Sequence, residues 1–252
     1  MARVNELRAF ADAGELARAA AEEVARRGAA AVHQRGRFTI ALSGGATPRR
    51  LYALLADPMA PLRERLDWNA IDLFWGDERH VPPDHPDSNY RMAREALIDH
   101  VPIPPERVHR VPAEDPDAAR AAALYEAELR QAFALAPPQK PRFDLMLLGL
   151  GPDGHTASLF PGSAAVHETE RLVVAPWIEK FSAARITVTP PVINHAAAVI
   201  FLVSGEDKAD ALVAVREGER QVERYPAQVV APDDGELLWL VDRAAARQLS
   251  GI

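Results

Sequence analysis

Residues 143–155 read Phe-Asp-Leu-Met-Leu-Leu-Gly-Leu-Gly-Pro-Asp-Gly-His, and the fold turns on how that run is interpreted. Phe143 to Leu148 has the length of a strand rather than a helix. Its apolar residues are nearly continuous, as in a strand covered on both faces. Gly149 stops the run, and the turn that follows ends on an imidazole, His155. The same grammar recurs at Phe38–Leu42 before Ser43-Gly44-Gly45-Ala46-Thr47-Pro48, and at Ala70–Trp75 before Gly76-Asp77-Glu78-Arg79. It appears again at Ala197–Val203 before Ser204-Gly205-Glu206-Asp207-Lys208. Further strands are predicted at Arg185–Thr189 and Glu236–Val241.

Helical spacing fills the intervals. It predicts helices over Val4–Gly28, with Gly28 as the stop, and over Arg49–Ala56, with Thr47 as N-cap and Pro48 at the first position. Others fall near Ser88–His100, Pro116–Leu135 and Glu206–Gly218. Strands alternating with helices predict an α/β protein with a mostly parallel, doubly wound, Rossmann-like sheet flanked by helices. The Pro-rich stretches at 81–86, 101–105 and 136–141 are too short for linkers, so residues 1–252 are expected to form a single domain.

Composition narrows the function. Of 252 residues, 48% are hydrophobic and 26% charged, enough to build a large core around a shaped pocket. The formal net charge of −7 provides no global field for holding nucleic acid or an anionic membrane, so neither is an expected partner. Any bound anion must be gripped by a local cluster of cations. Cysteine is absent, which excludes disulfides, thiolate metal sites and a Cys nucleophile. No apolar signal core or membrane-length run appears, and the cytoplasm is the expected compartment.

In a parallel sheet the C-terminal strand ends share one edge, so four chain-distant turns can meet there. At the first of them, Ser43-Gly44-Gly45 combines close backbone approach with a helix N-terminus, a natural seat for phosphate; a plain strand-to-helix turn capped by Thr47 is the bland alternative. At the third, Gly149-Leu-Gly151-Pro-Asp153-Gly154 matches a dinucleotide fingerprint literally. Yet Pro161-Gly162 leaves little room for the helix that fingerprint requires. His155 at that strand end is suited to take a proton from water, and Asp153 or Asp77 could orient it. Arg79 can fork onto phosphate or carbonyl oxygen, although Asp77-Glu78-Arg79 also reads as a surface ion cluster. Arg185 and Lys208 are either solvated charges or the rest of the anion's cradle. Asp84, His85 and Asp87 match no familiar ligand spacing, and no metal site is expected. No Gly-x-Ser-x-Gly elbow supports a serine hydrolase.

Taken in order, these segments resemble the glucosamine-6-phosphate isomerase/6-phosphogluconolactonase family, on its lactonase side. The residues that carry the resemblance are 42–48, 75–82 with Ser88-Asn89-Tyr90, 149–162, Arg185-Ile-Thr-Val-Thr with Ile193-Asn194, and 201–208. The resemblance implies a hydrolase that opens a sugar-phosphate lactone without metal or cofactor, with His155 as general base. It also implies phosphate binding by Ser43–Gly45 together with Arg79, Arg185 and Lys208. A monomer is favoured. The rival within the family is a deaminase/isomerase, whose members resemble Asp-Gly-His-Ile-Ala-Phe-Asn-Glu where this chain has Asp153-Gly-His-Thr-Ala-Ser-Leu-Phe160. The missing acid favours the lactonase. A non-catalytic sugar-phosphate-binding protein is the third reading.

Overall fold

The computed structural model describes residues 5–251. Ten strands run in chain order as β1 (Asn5–Phe10), β2 (Phe38–Leu42), β3 (Ile71–Trp75), β4 (Asp77–Arg79), β5 (Leu145–Gly149), β6 (Val173–Val174), β7 (Trp177–Ile178), β8 (Ala183–Val188), β9 (Ala198–Val203) and β10 (Glu236–Asp242). The helices are α1 (Ala13–Arg35), α2 (Ala46–Ala56), α3 (Pro61–Glu64), α4 (Asn89–Ala96), α5 (Ala118–Ala132), α6 (Pro190–Asn194), α7 (Ala209–Arg216) and α8 (Arg243–Ala246).

Six strands form an all-parallel sheet in the order β1-β10-β9-β5-β2-β3. Every residue of β2, β3 and β9 is buried, as expected of strands covered by helices on both faces. One apolar core extends from Leu16 in α1 to Ala246 in α8, with Trp75, Phe74, Phe143 and Phe201 among its largest fully buried members. From β2 the chain moves outward to β3, then crosses back to β5 and proceeds outward the other way. The winding therefore reverses between β2 and β5, where a doubly wound sheet opens a crevice at its C-terminal edge.

Three expectations need correction. The helix expected over Val4–Gly28 is instead the edge strand β1 followed by α1, which runs on to Arg35; Val4 itself lies outside the described residues. Gly28 does not stop it. A Cβ there would lie 2.7 Å from Leu66 Cδ2 and 3.2 Å from Phe38 Cδ1, so this glycine serves close packing, and Gly36 at φ 70° is the real C-cap. Thr47 is not an N-cap: α2 begins at Ala46 behind Gly45, with no side-chain cap. Finally, the strand predicted at Arg185–Thr189 runs as 183–188 and does not extend the parallel sheet, and 77–79, read as part of a turn, forms a short strand beside it. As β4 and β8 they pair antiparallel, with β6, in a small second sheet. Gly76 joins the two sheets, donating to Leu42 O and accepting from Val188 N, both at 2.9 Å.

Candidate active site

Two buried tyrosines fix the lip of the crevice. Tyr52 Oη accepts from Ser43 N (3.0 Å) and donates to Ser43 O (2.9 Å), while Tyr125 does the same for Trp75 at 2.8 and 3.0 Å. Each hydroxyl satisfies both backbone groups of the residue at a strand's end, where the ladder can no longer do so. Burial pushes both phenols up in pKa, so the hydroxyls stay protonated. The Ser43–Gly45 turn is thereby held in place, and Ser43 Oγ is buried without a hydrogen-bond partner among the described residues.

A crevice of about 500 Å³ opens at the switch point. Ser43, Gly44, Gly45, Thr47, Asp77, Arg79, His155, Arg185 and Lys208 all line it. Asp153 stands behind His155 rather than in the lining.

After β5 no helix opens, so the glycines of 149–154 belong to a turn and not to a dinucleotide loop. Gly151 N donates to His155 O (2.8 Å) and Gly154 N to Gly151 O (3.0 Å). A Cβ on Gly151 would fall 1.9 Å from His155 Nδ1, so the imidazole occupies the space that a side chain would take. His155 Nδ1 sits 2.5 Å from Asp153 Oδ1, and Asp153 Oδ2 accepts from Lys180 Nζ at 3.0 Å. Partial burial opposes the charge on Asp153. The His155 bond and the Lys180 ammonium outweigh it and hold the carboxyl well below the usual carboxylate range. An ionised Asp153 can only accept, so Nδ1 carries a proton toward it, and Nε2 is the nitrogen left to exchange a proton in the crevice. Nε2 has no protein partner among the described residues. The ring stacks on Phe160 at 4.1 Å between centroids, and Phe181 meets Phe160 edge-on at 5.6 Å.

Asp77, the other candidate for orienting the base, is engaged elsewhere. Its Oδ2 accepts from Ser158 Oγ at 2.7 Å, and its backbone oxygen accepts from Asn89 Nδ2 at 2.9 Å. Glu78 faces inward and caps α4, accepting from the backbone N–H of Asn89 and Tyr90 at 2.7 and 2.8 Å; burial pushes its pKa up.

Arg79 and Arg185 stand directly opposite one another across β4 and β8. Like charges in that position repel. Neither forms a salt bridge within 4.0 Å among the described residues, and Arg185 lies over the Phe181 ring at 5.0 Å. Burial, and next the charge of Arg79, pull the Arg185 pKa down. Two unneutralised guanidiniums at one wall make a site for an anion. Lys208, following β9, bonds Asp207 at 2.7 Å and adds a third cation. Sequence reasoning did not single out Phe160, Phe181, Ser158, Asn89 or Lys180 as site residues.

Comparisons with known proteins place the chain in a family. The profile of the family described as glucosamine-6-phosphate isomerases/6-phosphogluconolactonase matches residues 11–239. A 6-phosphogluconolactonase from Nostoc sp. is 48% identical over 216 residues, covering 86% of each chain. One from Mycobacterium tuberculosis is 40% identical, covering 97% of this chain and 98% of its own. Among solved structures, 6-phosphogluconolactonase from Trypanosoma cruzi superposes with a TM-score of 0.86 at 31% identity, over 99% of this chain and 98% of its own. A monomeric glucosamine-6-phosphate deaminase, at 20% identity and TM-score 0.80 over 96% of this chain and 99% of its own, shares the fold. Fold, motif order and whole-length similarity converge, and the chain belongs to the glucosamine-6-phosphate isomerase/6-phosphogluconolactonase family.

Proposed function

We propose that this protein hydrolyses 6-phospho-D-glucono-1,5-lactone to 6-phospho-D-gluconate, in the oxidative branch of the pentose phosphate pathway. The observation that carries the reading is the Asp153–His155 pair at a crevice also lined by Arg79, Arg185, Lys208 and the Ser43–Gly45 turn. An ester carbonyl at one end and a phosphate at the other fit that polarity.

In this mechanism Nε2 of His155 takes a proton from water as its oxygen bonds to the lactone carbonyl carbon. The carbonyl electrons move onto oxygen. Collapse of the tetrahedral species breaks the bond to the ring oxygen, which receives the proton back from the imidazolium. Asp153 stabilises that imidazolium between the two steps. General-base assistance of this kind is worth about 10²–10⁴-fold. Gripping the remote phosphate turns binding energy into orientation of the carbonyl against the base. Phe160 occupies the position of the acid in the deaminase-like motif, and stacked on the base it offers no proton to a ring oxygen. We further infer a cytoplasmic monomer working without metal or cofactor.

The test is acid release from freshly prepared lactone. His155→Ala should reduce kcat by about 10²–10⁴-fold with KM within a few fold; near-normal turnover would remove His155 from the mechanism. Equal rates on unphosphorylated gluconolactone would contradict the phosphate grip. Activity should survive a chelator, and loss reversed by a divalent ion would overturn the metal-free reading.

A further inference from the structure

Lys180 sits outside the crevice lining, yet among the described residues it is the one Lys or Arg that touches the base's partner: its Nζ lies 3.0 Å from Asp153 Oδ2, while Asp153 Oδ1 lies 2.5 Å from His155 Nδ1. The lysine belongs to the short turn Glu179–Phe181 between β7 and β8. The same turn presents Phe181 to Phe160, the ring on which His155 stacks, and to Arg185. One turn thus contacts both the polar and the apolar support of the imidazole. We infer that Lys180 is a positioning residue that fixes the Asp153 carboxylate against His155 and tempers its negative charge, setting the pH at which the base becomes available. This inference rests on the proposed role of His155 as base.

The electrostatic logic is direct. A bare carboxylate on Nδ1 favours the protonated imidazole and so keeps the base occupied by a proton to higher pH. An ammonium on the far oxygen withdraws part of that stabilisation. Other charges face the pair from several sides: Glu179 shares the outer groove with Lys180 and Asp153. Asp77 and Asp207 line the same crevice as Arg79, Arg185 and Lys208. Tyr225 packs against Gly154 behind the turn. Of these groups only Lys180 and His155 bond the Asp153 carboxylate. The Lys180 side chain is 56% exposed, so its removal leaves no buried orphan and the variant should fold.

The experiment pairs two readouts on the full-length protein. One is the acid limb of kcat/KM against pH. The other is the NMR titration of the His155 ring, assigned by its absence from His155→Asn and independent of any activity. In Lys180→Met both should move upward by about half a pH unit, with KM unchanged and thermal stability retained. Lys180→Arg should restore the parental values. A His155 titration unmoved by Lys180→Met overturns the inference, as does a tenfold rise in KM with an unmoved acid limb, which would make Lys180 a substrate contact. A shifted titration in a protein lacking lactonase activity would sustain the pairing while overturning the function proposed above, so the two failures are distinguishable.

Discussion

Gly151 and Arg185 each serve the site against the ordinary preferences of the chain. A methyl at residue 151 would meet His155 Nδ1 at 1.9 Å, and the ring, part-exposed, would swing away rather than unfold its turn. Gly151→Ala should therefore lower kcat by about 10²-fold, the scale of an ångström's misplacement, while thermal melting changes little. A parallel loss of stability and activity would point to a collapsed turn instead. Arg185 faces Arg79 at a cost that the phosphate of the proposed substrate would relieve. Arg185→Gln should raise KM for the phosphorylated lactone yet hold or raise Tm, by about 1–2 °C, because a repulsion is removed. A clear drop in Tm would show the arginine to be structural. At this scale the sequence was most legible where a residue type had a single use, as with an imidazole after paired glycines. It left Asp77 and Asp153 equivalent, because both sit in turns at strand ends. Only packing shows that Asp77 is spent on Ser158 while Asp153 reaches the ring.

The strand ends form the next level, and their two tyrosine clamps make it testable. Tyr52 and Tyr125 each satisfy a buried backbone N–H and C=O with one hydroxyl, and deleting it orphans both. Tyr52→Phe and Tyr125→Phe should each cost about 1–3 kcal/mol in denaturant unfolding. Only Tyr52→Phe, whose clamp holds the Ser43 turn, should also raise KM; an equal kinetic effect from both would refute that division of labour. The central strands were readable because burial on both faces leaves an uninterrupted apolar run. The edge strand β1 was not: Asn5–Phe10 is polar, largely exposed and paired on one side only, so nothing local distinguishes it from the start of a helix. The β4–β8 pairing escaped for a different reason. It joins segments more than a hundred residues apart, and the three residues of β4 carry too little periodicity to announce a partner.

Stability of the whole molecule should depend on pH through a charged cluster at the opposite end of the sheet from the crevice. His109 lies between two carboxylates, 3.0 Å from Asp72 and 2.6 Å from Glu128, and stacks on Phe74 at 4.3 Å. Arg37 and Arg107 also bond Asp72, at 2.7 and 2.9 Å. Burial opposes the charge on His109, but the two acids outweigh it and its pKa is raised; burial likewise opposes ionisation of Asp72, and its cations lower it. A raised histidine stabilises fully below its unfolded pKa and loses that contribution as pH climbs through the folded one. The depressed aspartate does the reverse, losing its contribution as pH falls through its own folded pKa. Tm should thus be highest between these two limits and decline on the alkaline side as His109 discharges. His109→Gln should flatten that alkaline decline, and an unchanged profile would assign the dependence elsewhere. The sheet order carries a consequence for biosynthesis. Among the described residues, edge strand β1 pairs only with β10, which follows it by more than two hundred residues. A growing polypeptide must carry β1 unmatched until the more than two hundred residues separating it from β10 have been added, so that edge of the parallel sheet closes only through a very distant pairing.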